Sequence, residues 1–325
     1  MAGAKENVVI QAGNCSVTLM PGLGGKISSL RVGAEELLQT PLHPYGPRTH
    51  DMSFAEGDAS GWDECLPSVA GCTVPTEAGT VSIPDHGDLW RVPWSVLEAT
   101  GDSATLHVKC FSLPLELTRS VILASTATGW RLRLLYSLVN VGEIRVPWSW
   151  SAHPLFAVEA GDRVKLPETV QTVRVEGSHC DRLGAGGDSI CWPMAKSSDG
   201  SDVDLRRVQS PESGIGDKLF AGPFESPASS DFASSALSGW AVLERPRAGL
   251  RLTVRFEPSL TPYLGLWLCY GGWPDAPGAK QVCIALEPST APVDSLEKTG
   301  PWSRWLNPGE TFTWPMELEI DSIAP

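Results

Sequence analysis

SATLHVKCF, residues 103 to 111, alternates without a break: Ala104, Leu106, Val108 and Cys110 on one face, Thr105, His107 and Lys109 on the other. A period of two puts successive side chains on opposite sides of an extended chain, so this is a strand with one apolar face and one polar face. The pattern returns in WRLRLLYSL (130 to 138), where Leu132, Leu134, Tyr136 and Leu138 share a side. It returns again in GLRLTVRF (249 to 256), where Leu250, Leu252, Val254 and Phe256 oppose Arg251, Thr253 and Arg255. LELTRSVIL, PYLGLWLCY, QVCIALE and TFTWPMELEI continue the series, punctuated by turn residues. No amphipathic run long enough for a three-turn helix interrupts it. The sequence predicts an all-β chain made of two large packed sheets.

The composition agrees. The chain has 325 residues, 42% of them hydrophobic, with 32 glycines and 27 prolines, an excess that favours tight turns over long helices. Nothing reads as a linker, and residues 1–325 are expected to form one domain. Residues 176–239 stand apart: GAGGDS, KSSDGSD and ESPASSDFASSALSG carry weak strand signals and read as loops over one face. The formal charge is −13, with no cluster of Lys or Arg, which disfavours nucleic acid and anionic membrane as partners. The N-terminus lacks the apolar stretch of a signal peptide, and no apolar run approaches the roughly 18 residues of a membrane span. A cytoplasmic location is expected, and the oligomeric state is open. The eight cysteines form no C-x-x-C pair; Cys110, Cys269 and Cys283 fall in strand-like runs as small buried hydrophobes. No metal and no cofactor are expected. GLGGK (22 to 26) has no Walker spacing and reads as a turn between two N-terminal strands.

Residues that carry chemistry are few. In WSWSAHPLF (148 to 156), read as one strand, Trp148, Trp150 and Ala152 point one way, and Ser149, Ser151 and His153 the other. The second face is small and polar and ends in a titratable ring held extended by Pro154. It suits a cleft for a hydroxyl-rich ligand, although a solvent-facing strand with an ordinary histidine fits the same pattern. In QVCIALEPST, Val282, Ile284 and Leu286 form the apolar face, and Gln281, Cys283, Ala285 and Glu287 the small one. A carboxylate ending such a strand sits at a rim, in a salt bridge, or in a cleft where it can act as a general base. IPDHGDLW (83 to 90) sets His86 between two aspartates, a spacing that matches no standard metal site. GWDECLP (61 to 67) adds Asp63 beside Trp62, with Glu64 facing the opposite way, a poor arrangement for a glycosidase dyad. Of 13 tryptophans, most are expected in the core; Trp267 and Trp62 are the candidates to lie against a sugar ring.

Taken in order, these stretches resemble the galactose mutarotase-like family, which includes the aldose 1-epimerases. The resemblance rests on GLGGKISSLRVGAEELL, the His-Gly pair of DHGDLW, the His-Pro of SAHPLF, LGLWLCYGGWP, and ALEPSTAPVDSL followed by NPGETFTW, spanning residues 22 to 314. It implies a large β-supersandwich with one sugar-binding cleft and no cofactor. It implies that His153 is the general acid, Glu287 the general base, and His86 a sugar-binding histidine. An aspartate of the second half, matched to Asp217 in GDKLF, would grip a sugar hydroxyl. The Asn-Arg-Ile stretch that precedes the His-Gly pair in aldose 1-epimerases is missing here; Arg48 in YGPRTHDMSF is the nearest arginine. The expected chemistry is interconversion of the α and β anomers of an aldose by ring opening and closure. His153 would start protonated, its pKa raised by a nearby carboxylate. A non-catalytic sugar-binding protein and a hexose-phosphate epimerase are the alternatives, the latter requiring clustered Arg or Lys at the cleft.

Overall fold

The computed structural model describes residues 6–226 and 237–323. Two large antiparallel sheets, of eleven and eight strands, pack face to face, and three two-stranded ribbons decorate them. No helix exceeds a single 3-10 turn among the described residues, and none is long and apolar enough to cross a membrane. The alternating runs became strands with their apolar faces inward. Leu132 sits opposite Leu318 and Leu134 opposite Met316, and all four are fully buried between the sheets.

Five adjacent strands of the larger sheet position the site: Trp62–Cys65, Ser151–Ala157, Val282–Ser289, Tyr263–Tyr270 and Ile215–Ala221, in that spatial order. On the first three, alternation separates two environments. Glu64, Ala152, Phe156, Ile284 and Leu286 turn toward the smaller sheet; His153, Leu155, Ala285 and Glu287 turn away from it.

One expectation is revised. WSWSAHPLF is not one strand: Val146–Trp148 pairs with Arg304–Leu306, and Ser151–Ala157 joins the larger sheet only after a break at residues 149 and 150. The facing survives the break, because Trp148 and Trp150 still enter the core, against Trp314 and Tyr136. The segment 176–239 is mostly turn and irregular chain among its described residues, with short strands threaded through it. It contains the short strands Ser189–Cys191, Met194–Lys196 and Asp202–Asp204, and Ile215–Ala221 is a full member of the larger sheet. Its polar residues on both faces hid the period; its residues 227–236 lie outside the described ones.

The sheets are tied together by charge as well as by apolar packing. Glu64, fully buried, accepts hydrogen bonds from Arg119 Nη1 (3.1 Å) and Tyr136 Oη (2.9 Å) of the smaller sheet and from Trp150 Nε1 (2.9 Å). Arg119 in turn donates to the Gly25 carbonyl and lies over the Trp94 ring at 4.7 Å. Removing one partner of such a pair strands the other in a dry interior, at about 3–5 kcal/mol. Glu64→Gln and Arg119→Met are each expected to lower stability by that order in urea denaturation. The double variant Glu64→Leu/Arg119→Met should lose much less than the sum of the two.

Candidate active site

The strand register on either side of His153, with Ser151 opposite Ser289 and Leu155 opposite Ala285, brings it across from Glu287. His153 Nε2 lies 4.0 Å from Glu287 Oε1, too far for a hydrogen bond, and both side chains are almost wholly buried. His153 lines a cleft of about 240 Å³ on the outer face of the larger sheet, and Glu287 lies buried against two of its lining residues, His153 and Lys218. Phe54, Val69, Ala70, Asp85, His86, Lys218, Trp267, Trp273, Gln281 and Asp294 complete its lining.

Each wall has a local cause. His86 is a non-glycine residue at φ 58°, a conformation uncommon outside turns, and Gly87 follows at φ 68°. A Cβ on Gly87 would stand 2.2 Å from the Leu66 carbonyl oxygen, so only glycine lets this loop lie so close. The backbone N–H of Asp88 donates to Leu66 O at 2.8 Å and pins the loop. The His86 ring stacks on Phe54 at 3.9 Å and meets His153 edge-on at 5.2 Å; its Nδ1 pairs with Asp85 Oδ2 at 2.8 Å. Burial opposes ionisation of Asp85, yet His86 and Arg91 hold its carboxyl below the usual range. On the far side Trp267 Nε1 donates to Gln281 Oε1 at 2.9 Å, which fixes the indole plane along the cleft.

The sequence-expected residues divide. His153, His86 and Trp267 line the cleft, and Glu287 is buried against His153 and Lys218; Asp217, Asp63, Trp62 and Arg48 do not line it. Asp217 occupies the opposite face of its strand, where it accepts from Ser178 Oγ (2.7 Å) and Arg182 Nε (3.0 Å). Its neighbour Lys218 takes the cleft position, since adjacent strand residues face opposite ways. Trp62 is fully buried in the inter-sheet core. Asp63, across the strand pair from His153, binds Lys26 Nζ at 2.5 Å. Lys26 also contacts Asp58 (3.0 Å), and Arg48 pairs with Asp58 while lying over Trp90 at 4.8 Å. These four charges form a buried cluster beside the cleft, not its wall.

Missed by the sequence reading were Lys218, Asp294, Gln281 and the Phe54 and Trp273 rings. Lys218 Nζ donates to Glu287 Oε2, and Asp294 Oδ1 lies 3.6 Å from the same nitrogen. Burial alone would push the Lys218 ammonium down, but Asp294 and Glu287 outweigh it and its pKa is raised. His153 goes the other way from expectation. Burial, then the positive charges of His86, Lys218 and Lys26, hold its pKa well below the ordinary 6.5. Glu287 is too far to bond it, so the resting ring is neutral. Its Nδ1 is buried without a partner, which favours the tautomer with the proton on Nε2, facing Glu287. Glu287 Oε1 and Asp294 Oδ1 are likewise buried without a hydrogen bond, the latter facing the Lys218 ammonium at 3.6 Å.

No family model and no curated protein matches the chain. Solved structures do. The Slr1438 protein of Synechocystis sp. PCC 6803 aligns with a TM-score of 0.67 at 17% identity, covering 98% of this chain and 96% of that one. A galactose mutarotase related enzyme from Lactobacillus acidophilus aligns at 0.65 and 15%, covering 98% of each chain. A GalM/aldose epimerase homologue from C. elegans aligns at 0.65 and 11%, covering 98% and 99%. At these identities the likeness establishes the fold: the chain is a galactose mutarotase-like β-sandwich.

The depressed His153 pKa has a thermodynamic consequence. The unfolded chain takes up this proton around 6.5, whereas the folded chain takes it up only at lower pH. Its contribution is therefore complete above 6.5 and is lost as pH falls from there toward the folded value. His153→Asn should flatten the pH dependence of urea stability across that window, whereas an unchanged slope would place the burden on other groups.

Proposed function

We propose that the protein is an aldose 1-epimerase acting on a neutral, unphosphorylated sugar. The observation that carries this reading is the unbonded approach of His153 Nε2 and Glu287 Oε1 at 4.0 Å at the edge of a cleft that His153 and aromatic rings line. The two oxygens of a hemiacetal share one carbon, so an acid and a base that serve both must converge on a single point. Glu287 Oε1 removes the proton of the anomeric hydroxyl while His153 Nε2 delivers one to the ring oxygen. The bond from C1 to the ring oxygen breaks, and C1 becomes an aldehyde. Rotation about C1–C2 turns its other face to the ring oxygen, and the reversed transfers close the opposite anomer. Protons and electrons balance without any further reagent.

Trp267 and Trp273 offer flat apolar faces to the C–H face of a pyranose, and His86, Gln281 and Asp294 offer polar atoms to its hydroxyls. The charge of the cleft argues against phosphate. Asp85 and Asp294 line it, no arginine does among the described residues, and its one lysine is already paired with Asp294 and the buried Glu287.

Polarimetry on freshly dissolved galactose and glucose is the test. Wild type should accelerate mutarotation, and His153→Ala and Glu287→Gln should each lose about 10²–10⁴-fold in kcat. Sugar 6-phosphates should react poorly. Because the acid must be imidazolium and burial resists that form, kcat/KM should rise as pH falls through 6.5. Tight sugar binding with no acceleration over buffer would instead make the protein a sugar-binding module.

A further inference from the structure

An imidazole and a carboxylate as near as His153 and Glu287 have a simpler outcome open to them than catalysis. The carboxylate can draw a proton onto the ring and close on it as an ion pair, which uses up both groups. Here they stand apart at 4.0 Å, and Glu287 Oε2 is engaged by Lys218 Nζ instead. The engagement crosses a whole strand. Lys218 belongs to Ile215–Ala221 and Glu287 to Val282–Ser289, with Tyr263–Tyr270 between them. What makes the crossing possible is Gly265, which lies opposite Glu287 in the register. A Cβ at this position would stand 2.9 Å from Glu287 Oε2 and 3.3 Å from Lys218 Nζ.

We propose that Lys218, reaching through the gap at Gly265, is a positioning residue that holds Glu287 off His153, so that acid and base stay separate until a sugar bridges them. The proposal deepens the reading of the cleft as an aldose-opening site and rests on it. Lys218 commits Oε2 and leaves Oε1 as the oxygen turned toward His153 and the cleft. As a paired ammonium it lacks the free lone pair needed to attack the aldehyde intermediate. It also opposes a second positive charge on His153. That ring is faced by His86 with Asp85 from one loop, by Glu287, Lys218 and Asp294 from the other side, and by the Lys26–Asp63 pair from the neighbouring strands.

The test follows the His153 ring by NMR titration in wild type, Lys218→Gln, Lys218→Arg and Gly265→Ala. Lys218→Gln should raise the His153 pKa by about 1–3 units, because a cation leaves and Glu287 is released toward the ring. Its kcat should fall at least about tenfold with little change in KM, and its pH optimum should move to the alkaline side. Lys218→Arg should stay close to wild type in titration. Gly265→Ala keeps every charge and adds a methyl whose nearest neighbours are the Glu287 side chain and the tip of Lys218, so it should shift the titration in the same direction by less. A folded Lys218→Gln whose His153 titrates as in wild type overturns the proposal; if that variant does not fold, an unshifted Gly265→Ala does so. The titration needs no turnover. A wild type that shows these shifts but does not accelerate mutarotation removes the proposed function and leaves the role of Lys218 in place.

Discussion

The structure depends on Glu64 being fully occupied. This carboxylate lies between the sheets and accepts from Arg119, Tyr136 and Trp150, so that both of its oxygens are used. Burying a charge is tolerable only when it is paired and hydrogen-bonded, and here the pairing groups come from the smaller sheet and from the segment that leads into Ser151–Ala157 of the larger one. The arrangement therefore locks the sheets' relative position as well as neutralising the charge. The consequence reaches the cleft through one peptide bond. With Glu64 turned inward, Asp63 must turn outward, where it holds Lys26 beside His153. Trp150, clamped by Glu64, sets where the Ser151–Ala157 strand begins, and with it the height of His153 above the sheet.

A second constraint is the placement of two lysines and a second histidine around a buried imidazole. Lys26 approaches His153 from one side, Lys218 from the other, and His86 lies edge-on to it. None of the three bonds the ring, yet together with burial they keep it neutral at rest. A neutral histidine beside an unbonded carboxylate oxygen is a primed arrangement. On the proposed function, the proton enters when a sugar displaces water and bridges the two groups. The cost of burying Lys218 is offset by its two carboxylate neighbours, so the cleft stores its charges as a network in place of isolated ions.

The fold was legible because each long strand has one dry face. Leu132, Leu134, Tyr136 and Leu138 repeat at two-residue spacing since every second side chain meets the other sheet, and no other element competes for that pattern. His153 and Glu287 were legible for a related reason: each ends a run of small residues on a face that is neither core nor plain solvent. Lys218 was not, because IGDKLFA has a polar residue on each face, Asp217 for the loop behind and Lys218 for the cleft, and alternation cannot rank two ionisable neighbours. A match made by residue type chose the aspartate, and a shift of one residue reverses the face. Trp62 and Arg48 failed differently. Both are types that serve ligands and cores alike, and only three-dimensional packing shows Trp62 among core residues and Arg48 spent on Asp58 and Trp90. Gly265 gave no sign of its importance, since what matters there is a missing side chain.

The two buried glutamates of the larger sheet make the division between scaffold and site physical. Glu64 and Glu287 are both fully buried on neighbouring parts of one sheet, and each is paired with a cation that crosses from another strand. They differ in what remains. Glu64 has both oxygens hydrogen-bonded, whereas Glu287 Oε1 is buried and unbonded. An acceptor left unsatisfied in a protein interior costs on the order of 1–3 kcal/mol, which selection for stability alone would remove, for example with a glutamine or an apolar residue of similar size. On the proposed function the unbonded oxygen is the acceptor for the sugar's anomeric hydroxyl, and its partner in that role is His153 Nε2, 4.0 Å away.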